Sequence, residues 1–451
     1  MRSNCYGNLV LIVKFTFLVA AQTQTEKYSL SLFLSRISFL SSMSQLRRKP
    51  NLSDGSLPHD IVFDILTRLP VKSLIRFRCV SKSWYSTITN PIFITTHLNH
   101  NLNQPKSLVS NTHDNNNSHN GFLLYKSSDK ELCTLVYNSD GTFTEVSRFH
   151  IPFLASSVVD YCNGMFFLYS FFGPTNAVYL WNPVIQKFKM IDVMHSRPFT
   201  VEFVETVAFG FAYQSQNSDF KILRIVSYEG LSDEKAPPPD AQVYTLSTDS
   251  WRTVELSEES VPNIGSIFAV LPNSCVFLNG ALHFVAYTWG NDDDNFILSF
   301  DVNDEIFREI RLPENYLDEF YSKFDDHVHQ LVVFKGMLAL VVLGPAENVD
   351  EDEDERSPDI CLIWVMREYG IVESWTKTKV LFDLVMTFFD CTNSGEFLIQ
   401  TFDSRLVSID SESLQANDLG IQTTPWLAYT ADLVENLVLL DQVKMSSKYH
   451  D

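Results

Sequence analysis

No two of the seven cysteines stand at C-x-x-C spacing, and seven is an odd count, so neither a zinc knuckle nor a disulfide framework is suggested. Cys5, Cys79, Cys133, Cys162, Cys275, Cys361 and Cys391 suit a reducing compartment. Positive charge is scarce: 34 Lys and Arg face 55 Asp and Glu, a formal net charge of −21. Such a chain is poorly equipped to take nucleic acid as its main partner, because phosphate binding rests on Lys and Arg that release counterions. Long hydrophobic runs are missing too, since a helix needs roughly 20 apolar residues to span a bilayer. The stretch Leu9 to Ala21 is shorter, and Lys14 breaks it. No G-x-S-x-G, P-loop or G-x-G-x-x-G pattern occurs, so neither a bound cofactor nor a membrane partner is expected.

What is present is ordinary in bulk and uneven in detail. At 451 residues, 45% hydrophobic and 20% charged, the chain has room for two or three globular domains. Thirty-five Phe, 17 Tyr and 7 Trp point to strands, where aromatic side chains pack well.

The most informative segment runs from Leu57 to Trp84. Pro58 suits a first helical position and Asp60 places negative charge at the positive end of the helix dipole. Ile61, Val62, Ile65, Leu66 and Leu69 then share one face spanning roughly 140° at helical spacing. Phe63 falls outside that arc. Pro70 stops this helix and allows a second, with Val71, Leu74, Phe77 and Arg78 at i, i+3, i+6 and i+7. Ser81 is a good N-cap for a third helix that carries Trp84 and Ile88. Three helices of this size make a marginal core, so the unit should lean on a partner. Arg68, Lys72, Arg76, Arg78 and Lys82 outnumber Asp60 and Asp64 here, which would suit an acidic surface.

These residues resemble the F-box: Leu-Pro, an apolar helix, Leu-Pro again, a basic and apolar helix, then Val-Ser-Lys-x-Trp. The resemblance implies docking on a Skp-type adaptor, which links to the cullin of a ubiquitin ligase. Leu57, Pro58, Ile61, Ile65, Leu66, Leu69, Pro70, Val71, Leu74, Phe77, Arg78, Val80 and Trp84 carry over as adaptor-facing or core positions, in a split the sequence does not assign. The Asn-rich stretch Asn99 to Asn120 reads as a flexible linker, with Lys106 to Ser110 as a strand inside it.

Beyond Gly121 the chain settles into short apolar runs separated by Asn-Gly, Asp-Gly and Pro signals, the pattern of antiparallel hairpins. A strand, a polar turn and an aromatic recur at Val178 to Phe188, Val243 to Trp251, Ile297 to Phe307 and Leu362 to Trp375. Hairpin turns at Asn163-Gly164, Asn279-Gly280 and Lys335-Gly336 precede several of them. Four strands per unit suit the blades of an irregular β-propeller, with a β-sandwich as the structural alternative. The runs Val207 to Phe211, Asp219 to Ile225, Val243 to Val254, Val276 to Phe284 and Ile297 to Pro313 look like the F-box-associated domain common in plant F-box proteins. Ala212 and Tyr213 to Gln216 depart from that family's usual Gly-Tyr-Asp-Pro turn.

The expected fold is therefore α+β and multidomain, a small three-helix F-box followed by an all-β, propeller-like domain. The divisions are an N-terminal extension at 1–50, F-box at 51–98, linker at 99–120, β domain at 121–420 and C-terminal tail at 421–451. The expected role is a non-catalytic substrate-recognition subunit, working in the cytoplasm or nucleus and binding an unknown protein target. Arg2, the apolar run and Val19-Ala20-Ala21 resemble a secretory signal, whereas Met43 starts a sequence leading straight into the F-box, and translation is expected to begin there. The competing expectation is a secreted or membrane-associated lectin-like propeller or glycan-acting enzyme, glycosylated at Asn116-Asn117-Ser118.

Metal chemistry is expected neither from His97, His100, His113 and His119, set in or beside the Asn-rich stretch, nor from the pair His327 and His329. Ser247 to Trp251 reads as a turn between strands, and the acidic runs Asp350 to Glu355 and Asp292 to Asp294 as solvated loops.

Overall fold

Proline and short polar caps set the limits of the helical unit. Pro58, at φ −52° and ψ 140°, is the cap of α1 (His59–Thr67), one position before the first helical residue expected of it. Pro70 likewise precedes α2 (Val71–Phe77). The Ser81 hydroxyl accepts the Trp84 N–H at 3.1 Å and opens α3 (Lys82–Ile88). A fourth helix, α4 (Pro91–Leu102), was not anticipated, although its start is signalled: Asn90 accepts the Ile92 N–H at 2.8 Å, and Pro91 takes the first position. Residues 99–102 are thus helical where a linker was expected.

The computed structural model describes residues 58–103 and 119–441, apart from 129, 139–141, 152–156, 171–176, 194–202, 231–236, 273–274, 289–294, 321–326, 346–358, 382–384, 402 and 423–425. Residues 1–118 and 119–451 form separate units. Leu57, the signal-like run, Met43, the strand expected at Lys106 to Ser110, His113, the Asn116 sequon and both acidic runs lie outside the described residues.

The second unit is a six-bladed propeller, each blade an antiparallel sheet. Blade 1 holds β1 (His119–Ser128), β2 (Glu131–Asn138) and β3 (Phe143–His150). Blade 2 holds β4 (Ser157–Cys162), β5 (Met165–Ser170), β6 (Ala177–Asn182) and β7 (Lys187–Asp192). Blade 3 comprises β8 (Phe203–Gln214), β9 (Asp219–Gly230), β10 (Asp240–Thr245) and β11 (Ser250–Val254). Blade 4 has β12 (Ile267–Val270), β13 (Val276–Leu278), β14 (Ala281–Thr288), β15 (Phe296–Asp301) and β16 (Phe307–Arg311). Blade 5 is β17 (Val328–Phe334), β18 (Met337–Pro345), β19 (Asp359–Met366) and β20 (Trp375–Leu381). Blade 6 is β21 (Val385–Cys391), β22 (Glu396–Thr401), β23 (Arg405–Asp410) and β24 (Ala416–Gln422).

Burial explains why the strands read as they do. Middle strands are covered on both faces by neighbouring blades, so β14 and β18 are apolar almost throughout, while β3 and β24 at blade edges are mostly exposed or half-buried. The core accordingly runs as seams between blades: Leu223 and Val243 against Leu282 and Phe284, then Ile297 against Leu340 and Leu362, then Ile363 against Phe397. Leu398 meets Leu123 at the next seam, and Leu124 meets Phe166 at the one after. Phe167 meets Phe209 edge-on and Phe211 at a tilt to join blades 2 and 3.

The four strand, turn and aromatic repeats are the last two strands, in chain order, of blades 2 to 5. Their aromatics have a job beyond packing in two cases. The Trp251 indole donates to the Asp192 carbonyl at 3.1 Å, and that of Trp375 to the Arg311 carbonyl at 3.2 Å, each reaching the last strand of the preceding blade. The Asn-Gly turn links the first two strands of blade 2, with φ of 48° at Asn163 and 84° at Gly164, the twist a two-residue hairpin needs. It recurs at Asn279-Gly280 and Lys335-Gly336.

The expected C-terminal tail is instead structural. β25 (Leu427–Thr430) pairs with β1, Phe122 opposite Thr430 and Tyr125 opposite Leu427, and supplies the first strand that blade 1 lacks. The chain then crosses the turns of blade 2. There the Asn182 amide donates to the Asn436 side chain at 2.7 Å, while the Asn436 amide donates to the Asn163 carbonyl at 2.7 Å. Leu437, Leu439 and Leu440 are buried. The propeller therefore extends from His119 to at least Leu440, not from 121 to 420.

Candidate functional site

In the helical unit, the positions singled out in the sequence separate by what they touch. Leu66, Val71, Leu74 and Phe77 are buried and form the unit's core with Ile88, Phe93, Ile94 and Leu98. Ile65, Leu69, Arg78 and Trp84 are half-buried. Trp84 sets its ring edge-on to Phe77, centroids 5.3 Å apart, and the Arg78 guanidinium lies over Tyr85 at 4.9 Å. Pro58, Ile61, Pro70 and Val80 face solvent.

Phe63, outside the predicted apolar arc, is explained by the helix the sequence reading missed. It meets Phe93 of α4 edge-on at 5.2 Å, so α1 is packed on two sides rather than one. His97, beside the stretch expected to lack a scaffold, is buried on the same helix. Its Nε2, in the tautomer that donates, bonds the Leu69 carbonyl at 3.0 Å, at the turn between α1 and α2. Burial lowers the His97 pKa and keeps the ring neutral. It is a structural histidine. The signal was available as Phe93, Ile94, His97 and Leu98 at helical spacing behind Asn90-Pro91. Phe93→Ala should therefore cost the helical unit about 3–5 kcal/mol, the usual range for emptying a buried aromatic site. The loss is read as helical circular dichroism and protease resistance of residues 58–102.

With the core filled, the exposed apolar side chains define a surface. Ile61 is 43% exposed, Val80 50%, Tyr85 51% and Ile92 71%. The unit thus leaves four large apolar side chains in water, on α1, just before α3, on α3 and on α4. The His59 ring and the Thr87 hydroxyl, 3.3 Å apart, tie the start of α1 to α3 and bring two of the exposed elements together. Arg68 pairs with Asp64 at 2.8 Å on the exposed side of α1, a contact worth little by itself.

The propeller's sequence candidates resolve into packing. His329 bonds the Tyr287 hydroxyl at 2.5 Å, and burial lowers its pKa to about 4. His327 stands just before β17, edge-on to Phe320 at 5.1 Å. Ser247 to Asp249 form the turn between β10 and β11, where Asp249 accepts from Lys189 at 2.8 Å and from Tyr244 at 2.7 Å. Among the described residues, no three His, Cys, Asp or Glu side chains gather as metal ligands would. Nor is any described helix long and apolar enough to cross a membrane.

Comparison with known proteins matches both units. The F-box domain family matches residues 55–96, and the F-box associated beta propeller domain family matches residues 140–432. An F-box protein of Arabidopsis thaliana is 28% identical over 345 residues, 71% of this chain and 72% of its own length. F-box protein CPR1 of the same plant is 24% identical over 401 residues, 86% of this chain and 89% of its own. An Arabidopsis thaliana F-box/kelch-repeat protein is 26% identical over 330 residues, covering 72% and 79%.

Proposed function

The chain belongs to the F-box proteins that carry an F-box-associated β-propeller, and from that membership we propose that it is a substrate-recognition subunit of a Skp–cullin–F-box ubiquitin ligase. The F-box docks on a Skp-type adaptor, and the propeller holds a target protein while other subunits transfer ubiquitin. The contribution is proximity: tethering two partners on one chain turns their encounter into an intramolecular event. The chain itself is non-catalytic and acts in the cytoplasm or nucleus, where the adaptor is found.

The observation that carries this reading is the match of residues 55–96 to the F-box family and of 140–432 to the F-box associated propeller family, and the exposed Ile61, Val80, Tyr85 and Ile92 on a unit whose own core is filled support it. Charge supports the division of labour. Residues 51–98 hold five Lys and Arg against three Asp and Glu, whereas residues 119–451 hold 21 against 50. A basic F-box suits an acidic adaptor surface, and the field of so acidic a propeller favours targets of positive charge.

Affinity capture of the full chain from plant cells, with cullin ligase activity blocked, tests the proposal. The native chain recovers adaptor, cullin and target together. A Leu57→Ala, Pro58→Ala double variant keeps the target and loses the other two. Recovery of adaptor at the native level with that variant refutes the docking assignment.

A further inference from the structure

Asparagine precedes glycine at three places in the chain, 120–121, 163–164 and 279–280. Gly121 stands inside β1, opposite Tyr137 of β2. The other two pairs are twin turns, one between β4 and β5 and one between β13 and β14. Their backbones agree closely, with φ of 48° and 84° at Asn163 and Gly164 against 52° and 82° at Asn279 and Gly280. Their surroundings do not.

The chain that follows β25 lies over Asn163-Gly164. Gly164 is buried, a Cβ on it would sit 2.1 Å from the Val434 carbonyl oxygen, and the Asn163 carbonyl accepts the Asn436 amide at 2.7 Å. Asn279 is exposed, and a Cβ on Gly280 would meet, among the described residues, only the Asn303 amide at 3.7 Å. The strand leading into this second turn, β13, is three residues long, and its middle residue Phe277 is 42% exposed. The Val302 N–H holds the turn at the Gly280 carbonyl, at 3.0 Å, and not at the glycine nitrogen. A short, uncovered hairpin opens locally far more often than one clamped by a second segment.

We propose that Asn279 is a site of spontaneous deamidation in the folded protein, and that the C-terminal chain shields Asn163 from the same reaction. On local opening the Gly280 nitrogen attacks Cγ of Asn279, an approach that glycine leaves clear because it has no Cβ. The new N–Cγ bond closes a succinimide ring, the Cγ–Nδ2 bond breaks, and ammonia leaves with the proton that the Gly280 nitrogen gives up. Water then opens the ring at either carbonyl. One product is aspartate at 279, and the other is isoaspartate, in which the backbone runs through Cγ. Isoaspartate adds a carbon to a two-residue turn that has no slack, and both products add a negative charge. The pairing of Leu278 with Ala281 and the bond from Val302 are what the longer turn gives up. Blade 4 therefore loosens as the chain ages, whatever partner the chain serves.

The experiment follows the folded full chain during incubation in mildly alkaline buffer, with acidic digestion and mass spectrometry of the peptides that hold residues 163 and 279. Acid accumulates at least tenfold faster at 279 than at 163. In a denatured sample of the same chain the two rates fall within threefold of each other, because both are then plain Asn-Gly. Equal rates in the folded chain overturn the proposal. Asn436→Ala, which removes one clamp from Asn163, speeds the reaction there at least threefold relative to Asn279, and a ratio unchanged from the native chain overturns the shielding. A protein-isoaspartate methyltransferase supplied with labelled S-adenosylmethionine marks the aged peptide that holds residue 279. No label on that peptide overturns the cyclic route, since direct hydrolysis of the amide yields ordinary aspartate alone.

Discussion

Ile61→Asp and Val80→Asp together reduce the affinity of the full chain for a purified Skp-type adaptor by at least a hundredfold, while its thermal unfolding stays unchanged. Both residues are close to half exposed, so neither contributes much to the core built on Leu66, Leu74 and Phe93. At an interface, burying each aliphatic side chain is worth about 1.5–3 kcal/mol, and an unpaired aspartate in its place adds a desolvation penalty. The folded unit should tolerate the change, because an acidic residue in the first turn of α1 favours the helix dipole. The measurement is a binding titration by calorimetry or surface capture. Affinity within threefold of the native value would remove these two positions from the docking surface and send the search to Tyr85 and Ile92.

The second large effect comes from the other end of the chain. Ending it after Trp426 removes β25 together with Leu427, Leu437, Leu439 and Leu440, all buried. At about 1.5–3 kcal/mol for each side chain, the lost burial amounts to roughly 6–12 kcal/mol, comparable with the entire stability of an ordinary domain. The truncated propeller should be insoluble or cleaved rapidly by protease while the helical unit survives. Gly164→Ala is the milder counterpart. A Cβ there would sit 2.1 Å from the Val434 carbonyl oxygen and 2.7 Å from the Asn436 amide, at a φ of 84° that a side chain resists. It costs about 1–3 kcal/mol by strain, read as a lower unfolding midpoint. A truncated chain as protease-resistant as the native one would mean that blade 1 closes without β25.

Legibility in the sequence followed the physics of each signal. Helix starts and stops were readable because Pro58, Pro70 and Ser81 act locally, through a fixed φ or one hydrogen bond. The last two strands of blades 2 to 5 were readable because a turn and a following aromatic recur in a short window. What escaped depended on partners distant in sequence. Phe63 looked misplaced until Phe93 was set against it, and Leu427 to Thr430 looked like the edge of a tail because their hydrogen-bond partners lie at Phe122 to Tyr125. The split of the F-box positions into core and surface was equally hidden, since Leu74 and Ile61 differ in environment and not in type. Nor could any one strand announce how many blades there are, because that number is a property of the closed ring.

The pairing of β1 with β25 also orders events during synthesis. Phe122 waits for Thr430, and a ribosome adding roughly 5–20 residues per second takes some tens of seconds to supply it. Throughout that interval the helical unit, whose described helices pack on one another within residues 59–102, is free to fold, while the first blade made is the last to be completed. A nascent chain thus has its helical unit complete well before its propeller is closed.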